Sequence, residues 1–408
     1  MGDGWLRRAI IVCLSISTAI PSLTGQPASN RAVAGSLATD PRPPVGLTPR
    51  QEPGTCPDPL SIDLDAPRWT DRLAPGVMAT QWWGRHPSHG QQVPIAAVAI
   101  AHGSALVTPT ISRLPLPHGP QQEIRKSGAL ALTNGDYFRF LAQDRMTPRG
   151  VVVTGATPRF APRGWSKVVA VDASGFARTA QVRIAGSVRV GNLSVVVTSL
   201  NDHLDAGQGA VYRAPWRGRV PPGKGTLVFV RNGAVQRMTQ EGSSSSLRRG
   251  EWAFRVAEAA VLEPLRRGAR VTTSITADAR DGLSVLSASG HGGVILSSGR
   301  IARLCSAYEG LLRPRTALAW DDSGTMFLIS AGTYLGADGN GIRWGGATKT
   351  QMAVLARALG ATTAVTLDGG GSTVMLVRQG RDYKRLDNNR TAYARPVPVY
   401  WIVQRSGR

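Results

Sequence analysis

Cysteine is nearly absent. The 408-residue chain has three, Cys13, Cys56 and Cys305, and no Cys-x-x-Cys pair, which argues against a dedicated zinc or dithiol site. Other signatures are missing too. There is no Gly-x-x-x-x-Gly-Lys-Ser/Thr phosphate loop (Gly218 to Lys224 fits as far as the lysine, but Gly225 follows), no His-Glu-x-x-His and no Gly-x-Ser-x-Gly elbow, so P-loop, zinc-peptidase and serine-esterase chemistry drop out. Gly290-His-Gly-Gly293 resembles an esterase oxyanion loop, but without the elbow it has no nucleophile to serve, and it is set aside. Acidic residues are scarce: 26 Asp and Glu face 48 Lys and Arg, a formal charge of +22. Such a balance suits an anionic partner. Yet no dense Lys/Arg run with interleaved aromatics appears, so a nucleic-acid partner is not expected.

Long hydrophobic runs are also lacking. The one at the start, Ala9 to Ile20, follows Arg7 and Arg8 and is too short to span a bilayer comfortably. Small and turn-forming residues continue to Gly25. The pattern is that of a secretory signal over residues 1–25, which makes the expected location extracytoplasmic, with no stable membrane span. Cys13 would leave with that segment. Cys56 and Cys305 then remain, and in an exported chain they suggest one disulfide, the alternative being two unpaired thiols. Residues 26–57 are rich in Pro, Ser, Ala and Arg and read as a disordered leader. From residue 58 to 408 no second long linker or internal repeat appears, so one domain is expected.

With 42% hydrophobic residues a sizeable core can form. Much of residues 58–408 alternates with a period of two, for example at 150–154, 168–171, 188–190, 193–198, 227–231 and 326–330. The clearest helix spans about 348–359. Thr348-Lys-Thr-Gln351 forms a capping box, Met352, Leu355, Ala356 and Leu359 share one face, and Gly360 closes it. A second helix is expected over Ala253 to Arg266. The expected fold class is α+β or mixed α/β: a strand-rich single domain with the 348–359 helix packed on a mixed sheet.

The chemistry-bearing stretches sit at the ends of apolar runs. Thr363 to Leu367 delivers Asp368, followed by Gly369, Gly370, Gly371, Ser372 and Thr373. A carboxylate beside a glycine-rich turn reads as an active-site edge. Asn134-Gly-Asp-Tyr-Phe138 follows the run Ala129 to Leu132, and Asn201-Asp-His203 follows Val195 to Ser199. Arg313-Pro-Arg-Thr316 precedes a strand and offers a guanidinium that can grip phosphate. Asp136, Asp368 and nearby carbonyls could together hold a hard cation such as Ca²⁺, although no cofactor is required by anything in the sequence.

Taken in order, NGDYF (134–138), RMTPRGVVV (145–153), SLND (199–202), AVYRAPW (210–216), RPRTA (313–317), GATKTQMAVLARALGA (346–361), LDGGGSTVM (367–375) and ARPVPVYWIV (394–403) resemble the phosphodiester glycosidase domain family over roughly residues 60–405. That resemblance implies hydrolysis of a sugar-1-phosphodiester to free sugar and phosphomonoester, on a phosphorylated or anionic glycan of the cell envelope or exopolysaccharide. It implies catalytic roles for Asp368, Asp136 and Asn134. Arg315, with Arg395 as a second guanidinium, would hold phosphate. Gly369, Gly370, Gly371, Ser372, Thr373, Thr348 and Asn201 would line the cleft. Two departures stand out. Relatives often carry Asp-Gly-Arg where this chain has Ala331-Gly-Thr333, and Glu where it has Gln351. They admit a second reading, a non-catalytic module that binds anionic envelope polysaccharide.

Overall fold

The computed structural model describes residues 60–86, 90, 92–142, 145–204, 206–239, 244–257, 263–302, 312–332, 345–387 and 394–406. The expected signal segment and the whole of the expected leader, with Cys56, lie outside them, as do Cys305 and Thr333.

The expected α+β class is corrected. The described residues form five β-sheets and only two α-helices, Pro120–Ser127 and Lys349–Ala358. The largest sheet has eight strands in the order Trp69–Ala74, Val77–Arg85, Gln92–Ile100, Met326–Ala331, Arg315–Trp320, Thr363–Thr366, Gly293–Ser297 and Arg300–Ile301. Every neighbouring pair in it is antiparallel. The expected mixed sheet is therefore absent there. Helix 349–358 running straight into a strand looks locally like half of a parallel crossover. The strand instead pairs antiparallel on both sides, and one ten-residue helix does not make a helical layer. The capping box itself forms: Gln351 N donates to Thr348 Oγ1 at 3.1 Å, and Thr348 N donates to Gln351 Oε1 at 3.0 Å.

A second correction concerns Ala253 to Arg266. Trp252–Val256 is a strand, and the described residues that follow hold only a short 3-10 turn, Glu263–Leu265. Four of the five strand residues are buried on both faces, which erases the alternation that would have marked it. Arg255 is fully buried in this strand. Its guanidinium donates to the carbonyls of Pro221, Gly223 and Gly225, which removes the cost of an uncompensated buried charge.

Two other sheets complete the frame of the site. A seven-stranded sheet includes Ser166–Asp172 and Val285–Gly290, and a five-stranded sheet has Ala131–Asn134 between Met375–Gln379 and Tyr400–Arg405. The chain leaves the seven-stranded sheet at Gly290 and enters the eight-stranded one at Gly293. Three sheets thus end near one another: at Asn134, Gly290 and Thr366.

Candidate active site

Asn134 ties these ends together. Its side chain is fully buried. Oδ1 accepts from Thr316 Oγ1 at 2.7 Å and from Val374 N at 3.2 Å, while Nδ2 donates to the carbonyl of Asp368 at 2.6 Å. Both ends of the 368–374 loop are therefore held by one amide. All of its hydrogen-bonding capacity in reach of the loop goes to positioning. Asn134→Ala should destabilise the protein by about 3 kcal/mol, because it strands buried partners in three bonds. A urea midpoint equal to that of the parent would contradict this.

Two carboxylates flank the clamp. Gly135 N donates to Val399 O, and Gly135 O accepts from Asp368 N at 3.0 Å, so the two carboxylate-bearing turns are hydrogen-bonded directly. Gly135 is required by space: a Cβ there would lie 2.8 Å from Val399 Cγ1. Asp136 is buried, and its Oδ2 accepts from Gly150 N at 2.6 Å. Burial pushes its carboxyl up to about 7, and the charge of Asp368 adds to the rise against the backbone N–H groups of Gly150, Tyr137 and Arg149. Burial also raises Asp368, but the Ser372 hydroxyl, the Gly369 N–H and the guanidinium groups of Arg395 and Arg149 pull it back. Guanidinium charge thus acts on Asp368. The Asp136 carboxyl therefore titrates close to neutrality, while guanidinium charge favours the ionised form of Asp368.

The loop after Asp368 is a short 3-10 turn, Gly370–Ser372. Gly370 has φ 62°, a left-handed conformation that favours glycine. Gly370 N donates to Pro314 O, Ser372 N to Gly369 O and Thr373 N to Gly370 O. These amides are spent inside the protein, so the positive character here comes chiefly from side chains. Arg395, exposed, lies over Gly371: a Cβ on that glycine would sit 3.1 Å from its Nη2. The hydroxyls of Thr366 and Thr373 are buried and have no hydrogen-bond partner in the protein.

Above Asp136 opens a cleft of about 580 Å³, lined by Asp136, Tyr137, Arg139, Arg149, Gly150, Pro162, Arg163, Trp165, Ser166, Lys167, Gly290, His291, Gly292 and Lys349. Gly290 presses on the Asp136 carboxyl, and Tyr137 fills the space that a side chain on Gly292 would take. His291 Nδ1 accepts from Gly293 N at 3.1 Å, which leaves Nε2 to carry the ring proton. Burial, with help from Lys167, lowers His291 to about 4, so it is a neutral donor. The Gly290-His-Gly-Gly293 loop, set aside for want of a nucleophile elbow, is thus part of this site. Gly290→Ala should displace the Asp136 carboxyl and lower turnover by about 10²-fold. Turnover matching the parent's would contradict that geometry.

The other expected site residues fall differently. The stem of Arg315 runs beside Gly369, and its Nε donates to Ala347 O at 3.1 Å. Thr348 spends its hydroxyl on the helix cap. Asn201, at φ 58°, donates to Arg159 O and accepts from Arg213 N, a turn-holding role within another sheet. Sequence reasoning had not singled out Tyr137, Arg139, Arg149, Lys167 or Lys349. Tyr137, Arg149 and Lys349 stood inside quoted motifs; Arg139 and Lys167 carried no signal beyond the charge of the chain.

Among the described residues, no group of three or more His, Cys, Asp and Glu side chains could hold a metal ion. A hard cation wants several oxygen ligands. Asp136 and Asp368 instead face N–H donors and guanidinium groups, a poor setting for Ca²⁺. No helix among the described residues is long and apolar enough to cross a membrane.

The site thus sets one buried carboxyl, Asp136, and a half-buried one, Asp368, beside a cleft lined with basic side chains. Residues 208–404 match the phosphodiester glycosidase family, bearing out the resemblance read from the motifs. That segment holds Asp368, Arg315 and Arg395, while Asn134 and Asp136 reach the site from outside it. No curated protein matches the chain. Among solved structures, a hypothetical protein from Synechocystis is 18% identical at a TM-score of 0.59, over 85% of this chain and 68% of that one. A protein of Burkholderia pseudomallei K96243 is 18% identical at a TM-score of 0.55, over 78% and 74%. These two show the fold alone. The catalytic domain of zebrafish N-acetylglucosamine-1-phosphodiester alpha-N-acetylglucosaminidase, auto-inhibited by its pro-peptide, is 11% identical over 86% and 87%, at a TM-score of 0.38. That last likeness carries no argument here.

Proposed function

We propose that the protein is an exported glycosidase that hydrolyses a sugar-1-phosphodiester to free sugar and phosphomonoester. The observation that carries this reading is the fully buried Asp136 carboxyl in a cleft lined with cationic side chains, with the half-buried Asp368 carboxyl acting on it through its charge. The phosphate leaving group is already acidic, so breaking the bond from the anomeric carbon to the phosphate oxygen needs charge stabilisation more than a strong acid. Arg149 and Arg395 supply it on the phosphate side. The Asp368 carboxylate faces the positive charge that develops at the anomeric carbon. Asp136, still protonated, donates a hydrogen bond to the departing oxygen. Water supplies the new oxygen on the sugar, and its spare proton leaves through the pair. Export rests on Arg7, Arg8 and the run Ala9 to Ile20. A phosphate-linked glycan of the cell envelope or an extracellular polymer is the fitting substrate.

Release of reducing sugar from a panel of sugar-1-phosphodiesters tests the reading. A second reading, a non-catalytic module for anionic polysaccharide, has one observation of its own. Ala331 pairs with Arg315 across the strand ladder, so the carboxylate common in relatives is missing beside that arginine. Tight binding of an anionic glycan with no sugar released from any probe would favour it.

A further inference from the structure

We propose that Trp165 is a stacking platform for a pyranose ring, so that the cleft takes a glycan extending at least one sugar unit beyond the scissile linkage. The inference rests on the glycosidase reading for the choice of a sugar over another flat ligand. Its ground is where this indole stands and how it is held. Among the described residues Trp165 is the only exposed tryptophan, with 38% of its surface open. A single apolar side chain on a protein surface needs no explanation. This one lines the same cleft as Asp136.

Local chemistry sets its position. Gly164, at φ 86°, turns the chain just before it, and the strand Ser166–Asp172 begins just after. Two guanidinium groups hold the ring. Arg183 Cζ stands 4.6 Å from its centroid and Arg280 Cζ stands 5.8 Å from it. Arg183 is itself paired with Asp278 at 3.1 Å, and Arg280 donates to Gln181 Oε1 at 3.3 Å. Neither arginine lines the cleft, so both hold the ring from outside it and leave the cleft side open. A ring fixed in advance loses little freedom on binding. A pyranose suits this surface: one face of the sugar presents C–H groups that stack on the indole, and its hydroxyls can accept from the indole N–H.

Register gives the spacing. Val168 pairs with Gly290, and Gly290 presses on the Asp136 carboxyl. Trp165 comes three residues before Val168, about 10 Å of extended chain. That separation puts the platform beyond a sugar at the reacting centre and within reach of its neighbour in a chain. The cleft volume, about 580 Å³, lies in the range that encloses ligands larger than one monosaccharide.

The neutral tetrasaccharides cellotetraose and tetra-N-acetylchitotetraose test the platform without phosphate and without turnover. Titration calorimetry of the full protein should show at least one of them binding with a Kd of about 1 mM. Trp165→Ala should weaken that binding about tenfold, and Trp165→Phe, which keeps a flat ring, about threefold at most. Phe176→Ala removes an exposed aromatic outside the cleft and should bind as the parent does. Bound sugar should move the tryptophan emission of the parent to the blue, a shift absent in Trp165→Phe. Unaltered circular dichroism shows that the variants fold. No binding of either tetrasaccharide, unchanged affinity in Trp165→Ala, an equal loss in Phe176→Ala, or a blue shift that persists in Trp165→Phe would overturn the proposal. Uridine held by Trp165 more tightly than both tetrasaccharides would overturn it in favour of a nucleobase platform. If Trp165 binds a tetrasaccharide while no sugar-1-phosphodiester is cleaved, the reaction assigned above fails and the platform stands. Cleavage without any Trp165-dependent binding keeps the reaction and removes the platform.

Discussion

Asp368→Asn should lower the rate of sugar release by about 10³-fold while leaving the fold intact. The amide keeps the shape of the carboxyl and can still accept from Gly369 N–H. It loses only the charge that Arg149 and Arg395 hold in place. A carboxylate placed to face an oxocarbenium-like centre acts through that charge, so the loss falls on the chemical step and not on binding. The variant should bind a non-cleaved phosphodiester about as well as the parent does. Turnover in Asp368→Asn close to the parent's would remove Asp368 from the assigned role.

Asp136→Asn should do two opposite things. It removes the proton donor to the leaving oxygen, so activity falls. It also stabilises the protein above neutral pH. The sign follows from proton binding. The Asp136 carboxyl stands at about 7 in the folded protein and near 3.8 when exposed. Between those values the folded state holds a proton that the unfolded state has lost, so raising the pH favours unfolding. The stability Asp136 contributes is fully present below about pH 4 and is lost as pH rises through 7. Roughly three pH units at 1.36 kcal/mol each make about 4 kcal/mol. Asparagine carries no such penalty and can accept from Gly150 N in the same way. Urea unfolding at pH 5 and pH 8 reads this directly. The parent should lose more stability between the two than the variant, in which burial still raises Asp368 and Asp387. Equal slopes for both proteins would show that Asp136 is not the buried group that titrates.

Both predictions depend on residues that were legible before any coordinates. Asp368 and Asp136 each close an apolar run and are each followed or preceded by glycine, and that local chemistry is visible in sequence. Their meeting is not visible, because 232 positions separate them along the chain. Asn134 was legible as a site residue, but not as the clamp it is; its partners Thr316 and Val374 come from another strand and from the far end of the 368–374 loop. The helix at Lys349–Ala358 could be read from its cap, since capping is local. The fold class could not. The 3.6-residue period of one helix weighs heavily in a sequence, whereas antiparallel pairing is decided by partners far along the chain. Helix Pro120–Ser127 went unread because its apolar face is small, with Pro120, Glu123 and Ile124 as the buried residues. The Gly290-His-Gly-Gly293 loop was seen and dismissed. Its glycines serve the close approach of Asp136 and Tyr137, a demand that only the assembled sheets impose.

The central claim is that the bond broken is the one between the anomeric carbon and the phosphate oxygen. Hydrolysis of a cleavable sugar-1-phosphodiester in water enriched in oxygen-18, followed by mass spectrometry of both products, tests it most directly. Label in the free sugar and none in the phosphomonoester is the expected result. Label in the phosphomonoester would mean attack at phosphorus and would contradict the account.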